Sequence, residues 1–186
     1  FLLLIDIALG IYLAPLLTLQ IIVAILSLIY FVDVLFNLYL IIKSLAFPQE
    51  IVSKEEEIDN LKNSDLPIYT ILCPLYREAD VVPQFLDGMN KLSWPKKKLD
   101  VILLLEGDDR ETIEAVEKMS LPPYVRVLVV PHSIPKTKPK ACNYGLAHAK
   151  GEYLVIYDAE DIPDPLQLKK AYLGFKKAGE DVICLQ

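Results

Sequence analysis

The chain has 186 residues, 53% of them hydrophobic, and a formal net charge of -6. This is too apolar for an ordinary soluble protein and too charged for a purely integral one, so two regions of different character are expected. Net acidity without a basic face excludes nucleic acid as the main partner, and Cys73, Cys142 and Cys184, with no Cys-x-x-Cys spacing, signal neither a zinc site nor a disulfide framework.

In chain order, Phe1 to Ile42 carries only two formal charges, Asp6 and Asp33. Within it, Leu19 to Ile42 is an apolar run long enough, at about 1.5 Å per residue, to cross a hydrocarbon core of roughly 30 Å. The shorter segment from Phe1 to about Ala14 contains Asp6 and Gly10 and stops at Pro15, which is expected to mark the reversal of a helical hairpin. Asp33 and Asn37 lie one turn apart on one face of the span, where polar groups need protein or water beside them. Lys43 and Lys54 follow the span, whereas the connection at Pro15 has no basic residue, so the positive-inside rule puts the carboxyl-terminal domain in the cytoplasm. Pro48 to Leu66, with Lys54-Glu55-Glu56-Glu57 and Lys62-Asn63-Ser64-Asp65, reads as a charged surface linker with room for an interfacial helix.

From Pro67 onward, short β-rich runs alternate with helical stretches. Strands are expected at Ile68 to Cys73, Leu99 to Leu105, Val125 to Val130, Tyr153 to Tyr157 and Val182 to Leu185. Helices are expected at Asp80 to Leu92, Glu111 to Met119, Lys140 to Lys150 (closed by Gly151) and Pro165 to Ala178. Alternation at this spacing means a largely parallel sheet with helices on both sides, an α/β fold. Cys73 and Cys184 fall inside apolar strand patterns as small buried hydrophobes. Ala141, Gly145 and Ala149 are spaced to form a small-residue helix face against the sheet. Asp164, Pro165 and Gln167 supply an N-cap, an N1 proline and a capping-box partner. The chain begins with Phe1 and ends on what looks like an interrupted strand, and it reads as a piece of a longer protein.

Polar residues gather after each strand, on the edge where open α/β sheets bind ligands. Pro74, Tyr76, Arg77 and Glu78 follow the first strand, and Glu106, Gly107, Asp108 and Asp109 follow the second. Lys136, Lys138 and Lys140 follow the third, and Asp158, Glu160 and Asp161 follow the fourth. Acids crowded after the fourth strand repel one another and suit a hard divalent cation, Mg²⁺ or Mn²⁺, which takes one or two carboxylates plus substrate phosphates. With neither Gly-x-Gly-x-x-Gly nor a P-loop present, phosphates would be held by metal and lysine. Such an edge suits a nucleoside diphosphate. His132 and His148 lack partner spacing and receive no role.

Four motifs in order resemble glycosyltransferase family 2, the inverting, nucleotide-sugar-dependent enzymes of GT-A fold. Cys-Pro-Leu-Tyr-Arg-Glu is similar to the opening Pro-x-Tyr-x-Glu, and Leu-Leu-Leu-Glu-Gly-Asp-Asp to the first acidic strand end. Lys-Pro-Lys-Ala-Cys-Asn-Tyr-Gly-Leu is similar to Lys-x-x-Ala-x-Asn-x-Gly-Leu, and Tyr-Asp-Ala-Glu-Asp to the Asp-x-Asp pair with Glu in the second place. The preceding hairpin looks like that of cellulose-synthase-like membrane members. The resemblance divides the chain into transmembrane helices (1–47), the linker (48–66) and the amino-terminal half of a GT-A domain (67–186).

It further implies that Pro74, Tyr76 and Glu78 line the uridine pocket and that Glu106 or Asp108 accepts from the base. Lys138, with Lys140 as second choice, approaches the diphosphate; Asp158 sits near ribose or metal, and Glu160 is a direct metal ligand. The implied partners are a UDP- or GDP-linked sugar donor, a saccharide or lipid-linked acceptor and the lipid bilayer of a multi-pass cell-membrane protein. The catalytic base is expected beyond Gln186. The competing expectations are a non-catalytic membrane receptor or scaffold retaining the fold, and an unrelated nucleotide-binding α/β regulator.

Overall fold

The structure is a computed structural model that describes residues 9–46, 51–179 and 181–185. Two compact units divide the chain between residues 50 and 51. In the first unit, residues 9–13 are helical and Pro15 opens the 32-residue helix α1, Pro15–Ala46. Proline at a helix start forfeits no intrahelical bond, because the first N–H groups have no partner in any case. The break at Ala14 brings Gly10 so close to Thr18 that a Cβ there would lie 2.8 Å from its Oγ1. Most of the expected first arm of the hairpin lies outside the described residues. α1 is long and apolar enough to cross a membrane, and none of its residues is buried within the protein. The Asn37 side-chain amide donates to the Asp33 carbonyl one turn back at 2.9 Å, so its polarity is met within the helix.

The second unit is built on four parallel strands, β1 (Tyr69–Leu75), β2 (Leu99–Glu106), β3 (Val125–Val130) and β4 (Tyr153–Ile156), in the order β3-β2-β1-β4. The two central strands are buried at every position, as their unbroken apolar runs require, and the outer two are only partly covered. Alternation sends Ile71, Cys73, Val101, Leu103 and Leu105 into one core with Phe85, Met89, Val116, Leu168 and Tyr172. Leu72, Ile102 and Leu104 face the other core, with Ala141 and Cys142. Helices α3 (Val82–Lys91), α4 (Arg110–Glu117) and α6 (Gln167–Lys177) therefore supply one layer, and α5 (Lys138–Leu146) the other.

A one-turn helix, α2 (Glu55–Asp59), lies in the stretch expected as a linker. It is packed rather than free: Ile58 and Leu66 are buried, Lys177 of α6 bonds Glu57 at 2.5 Å, and the Lys98 ammonium gathers the carbonyls of Asn63, Ser64 and Leu66.

Three local expectations are corrected. Val182–Leu185 forms no strand; Leu185 instead packs onto α6, where a Cβ on Gly174 would lie 2.8 Å from its Cδ1, and Cys184 is exposed rather than buried. An apolar run becomes a strand only with a ladder partner, and none of the described strands pairs with it. α5 starts earlier and ends earlier than expected, because Thr137 caps Lys140 N–H and Pro139 favours the first turn. This leaves Ala149 beyond the helix, while Ala141 and Gly145 do face the sheet; a Cβ on Gly145 would meet Leu104 at 2.8 Å.

Gly151 is needed for close approach instead of helix capping, since a Cβ there would lie 2.5 Å from Thr70 N and 2.7 Å from the Tyr153 carbonyl. Both obstacles are backbone atoms that cannot swing aside. Gly151→Ala is accordingly expected to destabilise the domain by about 2 kcal/mol, as overpacking does, read as a lower urea midpoint at unchanged slope.

Candidate functional site

The chain steps from β1 outward to β2 and β3, then returns to place β4 on the other side of β1. This reversal makes the carboxyl ends of β1 and β4 a topological switch point, where the following loops diverge and leave a crevice. The loop after β1 carries Tyr76 and Glu78 to it, and the loop after β4 carries Asp158 and Glu160. The wall is completed by Glu106 at the end of β2 and by the start of α5.

Two adjoining hollows result. The larger, of about 300 Å³, is lined by Pro74, Leu75, Tyr76, Glu78, Glu106, Lys136, Thr137, Lys138 and Ala141. The smaller, of about 110 Å³, is lined by Glu78, Val81, Lys138, Asp158, Ala159 and Glu160. Glu78 and Lys138 belong to both. Of the candidates, Pro74, Tyr76, Glu78, Glu106, Lys138, Asp158 and Glu160 line the two hollows, whereas Lys140 and Asp108 do not; Asp108 leaves the wall to pair with Lys136, and His132 Nδ1 stands 3.8 Å from its other oxygen.

Each of the three lysines after β3 meets a different acid, Lys140 at the end of β2, Lys136 just beyond it and Lys138 after β4. Lys138 Nζ lies 2.9 Å from Asp158 Oδ1, and Lys140 Nζ lies 2.8 Å from Glu106 Oε2, the latter carboxylate only 8% exposed. The hydrogen bond from Lys138 to Asp158 holds the lysine above its ordinary range, and the bond from Lys136 to Asp108 lowers that carboxyl below its own. Lys136 also lies over the Tyr76 ring, 5.4 Å from its centroid, and Arg77 lies over it at 5.3 Å.

Asp161 is occupied otherwise: its carboxylate accepts the Asp158 N–H at 2.9 Å, which shapes the turn that presents Asp158 and Glu160. Asp164 accepts from Leu166 N–H at 2.7 Å and pairs with Lys170, but the expected cap, N1 proline and capping box do not form: α6 begins at Gln167, its N-cap position is Leu166 without a side-chain bond, and Asp164 and Pro165 shape the turn before it. Among the described residues no three His, Cys, Asp or Glu side chains gather as a cage for a metal. The residues that could hold an ion are Asp158 and Glu160, whose hard oxygens flank Ala159 and would fit Mg²⁺ or Mn²⁺ completed by phosphate and water.

Two residues that shape the site have no role assigned from the sequence: Thr137 is not singled out there, and Asp109 is only placed on the ligand edge. Thr137 caps α5 and lines the larger hollow. Asp109 is buried and bonds the Arg77 N–H as well as capping α4. The signal for Asp109 was local, an acid just ahead of Arg110-Glu111-Thr112 at a helix start.

A parallel sheet with helices on both faces and an acid- and lysine-lined crevice at its switch point has the architecture of the GT-A fold. Residues 70–186 match the glycosyl transferase family 2 domain, and the chain belongs to that family. It is 29% identical over 126 residues to the probable glycosyltransferase YdaM of Bacillus subtilis, covering 65% of this chain and 30% of that protein. It is 26% identical over 139 residues to a probable glycosyltransferase of Sulfolobus acidocaldarius, covering 73% of this chain and 30% of the other. The chain therefore spans about a third of the length of these curated relatives.

Among solved structures, the mannosyltransferase PcManGT from Pyrobaculum calidifontis, in complex with GDP-Man and Mn²⁺, is similar with a TM-score of 0.58 at 23% identity. The match covers 84% of this chain and 44% of that one. That likeness concerns the fold.

Proposed function

We propose that this chain is the donor-binding half of a membrane-bound, inverting glycosyltransferase that moves a hexose-type sugar from a UDP- or GDP-linked donor to a saccharide or lipid-linked acceptor. The observation that carries the reading is the pair of hollows joined at Glu78 and Lys138. The larger, walled by Pro74, Tyr76, Glu78 and the buried Glu106, suits a base and ribose. The smaller, where Lys138 pairs with Asp158 and Glu78 and Glu160 stand beside them, suits a pyrophosphate beside a divalent ion.

In this pose Glu106 accepts from the base, while Lys138, at the amino end of α5, faces the diphosphate. Asp158 and Glu160 would hold the ion, which when bound supplies Lewis-acid stabilisation of the departing diphosphate. Tyr76, with its apolar face, offers a stacking surface to the base. α1 crosses the bilayer, and Lys43 in its last turn keeps the sugar-binding domain on the cytoplasmic side.

Calorimetric titration of UDP and GDP, with and without Mn²⁺, tests the reading. The expected result is metal-enhanced binding of one of them, with Glu160→Ala weakening the metal-dependent part by at least about tenfold. Metal-independent binding that ignores the Glu160 substitution would reject it.

A further inference from the structure

We infer that Asp109 is a positioning residue for the crevice: it locks Arg77 in a left-handed backbone conformation and thereby fixes Tyr76 and Glu78 on the wall, without itself lining either hollow. What the crevice binds rests on the donor reading above; the lock is a separate claim about the loop.

Arg77 has φ 57°, and among the described residues it is the one non-glycine residue with positive φ. Arginine gains nothing locally from that conformation, because its Cβ crowds the following carbonyl and its side chain offers no short bond in return. Such a residue persists only where its surroundings over-determine it. The surroundings here are a single buried carboxylate. Asp109, 6% exposed, accepts the Arg77 N–H on Oδ2 at 2.5 Å and the Thr112 N–H on Oδ1 at 3.3 Å.

One side chain from the loop after β2 therefore fastens the loop after β1 to the first turn of α4. Burial raises the Asp109 carboxyl, but the bonds from Thr112 and Arg77 outweigh it and leave the group below its ordinary range, as expected for a charged acceptor. Tyr76 and Glu78 flank Arg77 in the chain and both line the larger hollow. A change of φ at Arg77 swings the two in new directions, so the lock decides whether the wall exists.

Serine at 109 separates the lock from the cap. Its oxygen can still accept from Thr112 N–H, yet it is too short to reach Arg77 as well. In the full chain, Asp109→Ser should melt as the wild type does. Trypsin should cut it after Arg77, an exposed residue, about tenfold faster, because an unlocked loop samples extended conformations. Its affinity for UDP or GDP should fall about tenfold, in proportion to the lost fraction of competent loop. Arg77→Gly in the Asp109→Ser background should restore that affinity, since glycine takes positive φ without help.

Equal cleavage rates in wild type and Asp109→Ser, undiminished affinity, or failure of the glycine to rescue would each overturn the lock. If the wild type binds neither nucleotide, the donor reading falls and the trypsin comparison alone decides the lock. Should Asp109→Ser not melt cooperatively, Asp109→Asn, which keeps the shape but only one carbonyl oxygen, carries the same trypsin comparison.

Discussion

Asp158→Ala is expected to lower the Mn²⁺-dependent affinity for UDP or GDP by about a hundredfold, the largest functional effect of any single change in this chain. Asp158 is doubly committed. In the proposed site it is one of two oxygen donors for the ion, and its Oδ1 sits 2.9 Å from Lys138 Nζ. With both side chains about half exposed, that pair contributes little to stability, roughly 0 to 1 kcal/mol, so its importance lies in charge placement. An ion arriving at Asp158 competes with Lys138, and a diphosphate arriving at Lys138 competes with Asp158. Nucleotide and metal therefore each remove the other's competitor, and their binding should be synergistic.

Removing the carboxylate abolishes the metal dependence but frees the lysine, so metal-free nucleotide binding should hold steady or rise. Lys138→Met should do the reverse, improving the binding of Mn²⁺ alone while weakening that of the nucleotide. Calorimetry with metal alone, nucleotide alone and both together reads all four quantities. A ratio of metal-dependent to metal-free affinity that stays constant in Asp158→Ala would contradict the assignment.

The largest effect on stability should come from Asp100→Ala, a loss of about 3 kcal/mol. Asp100 is buried at the amino end of β2, directly opposite Thr70 of β1, and receives a two-pronged contact from Arg126 of β3 at 2.7 and 3.1 Å. It also accepts from the Thr70 hydroxyl at 3.0 Å and the Lys150 N–H at 3.1 Å, while Arg126 reaches on to the His148 carbonyl. Three strands and the segment leading into β4 are thus tied at one end by a single carboxylate, and Gly151 N–H completes the knot by donating to Thr70 Oγ1 at 2.8 Å. Alanine would strand a partly covered guanidinium and an unanswered amide, which is the costly half of breaking a buried pair.

Burial pushes this carboxyl up, yet Arg126, Lys150 and Thr70 together hold it below the ordinary range. The sign of the linkage follows from that depression. Its contribution is fully present above the unfolded carboxyl pKa of about 4, and it fades as the pH falls toward the lower native value. Denaturant midpoints measured from pH 7 downward should show the wild type converging on Asp100→Ala in acid; a constant gap between the two would refute the linkage.

Much of this was legible in the residues themselves. β3 was placed to the residue, and the other three paired strands to within two at either end, because continuous apolar runs bounded by polar clusters can be satisfied in few ways. The parallel arrangement followed from alternation with helices. The missed strand at Val182–Leu185 shows the limit of the same reasoning: apolarity supplies a reason to be covered, and Leu185 finds cover on α6 instead of in a ladder. The glycines show it too. The spacing of Gly145 marks it as a close-packing position, as the structure has it, whereas Gly151 looks like a helix stop although its constraint is the backbone of Thr70, a residue distant in the chain.

By itself the sequence determined the kinds of element, their order, and which short polar stretches would end up at the strand ends, since all of these depend on periodicity and on neighbours a few residues away. It did not determine which acid does what. Asp100, Asp108, Asp109, Asp158 and Asp161 are chemically alike and all lie at strand ends or in the loops beyond them. Yet one ties the strands, one pairs with Lys136, one locks a loop, one faces the crevice and one shapes a turn. Most of those fates were settled by partners on other strands and loops, through the return of β4 to the far side of β1. Electrostatic roles depend on distances that exist only after the chain has closed on itself.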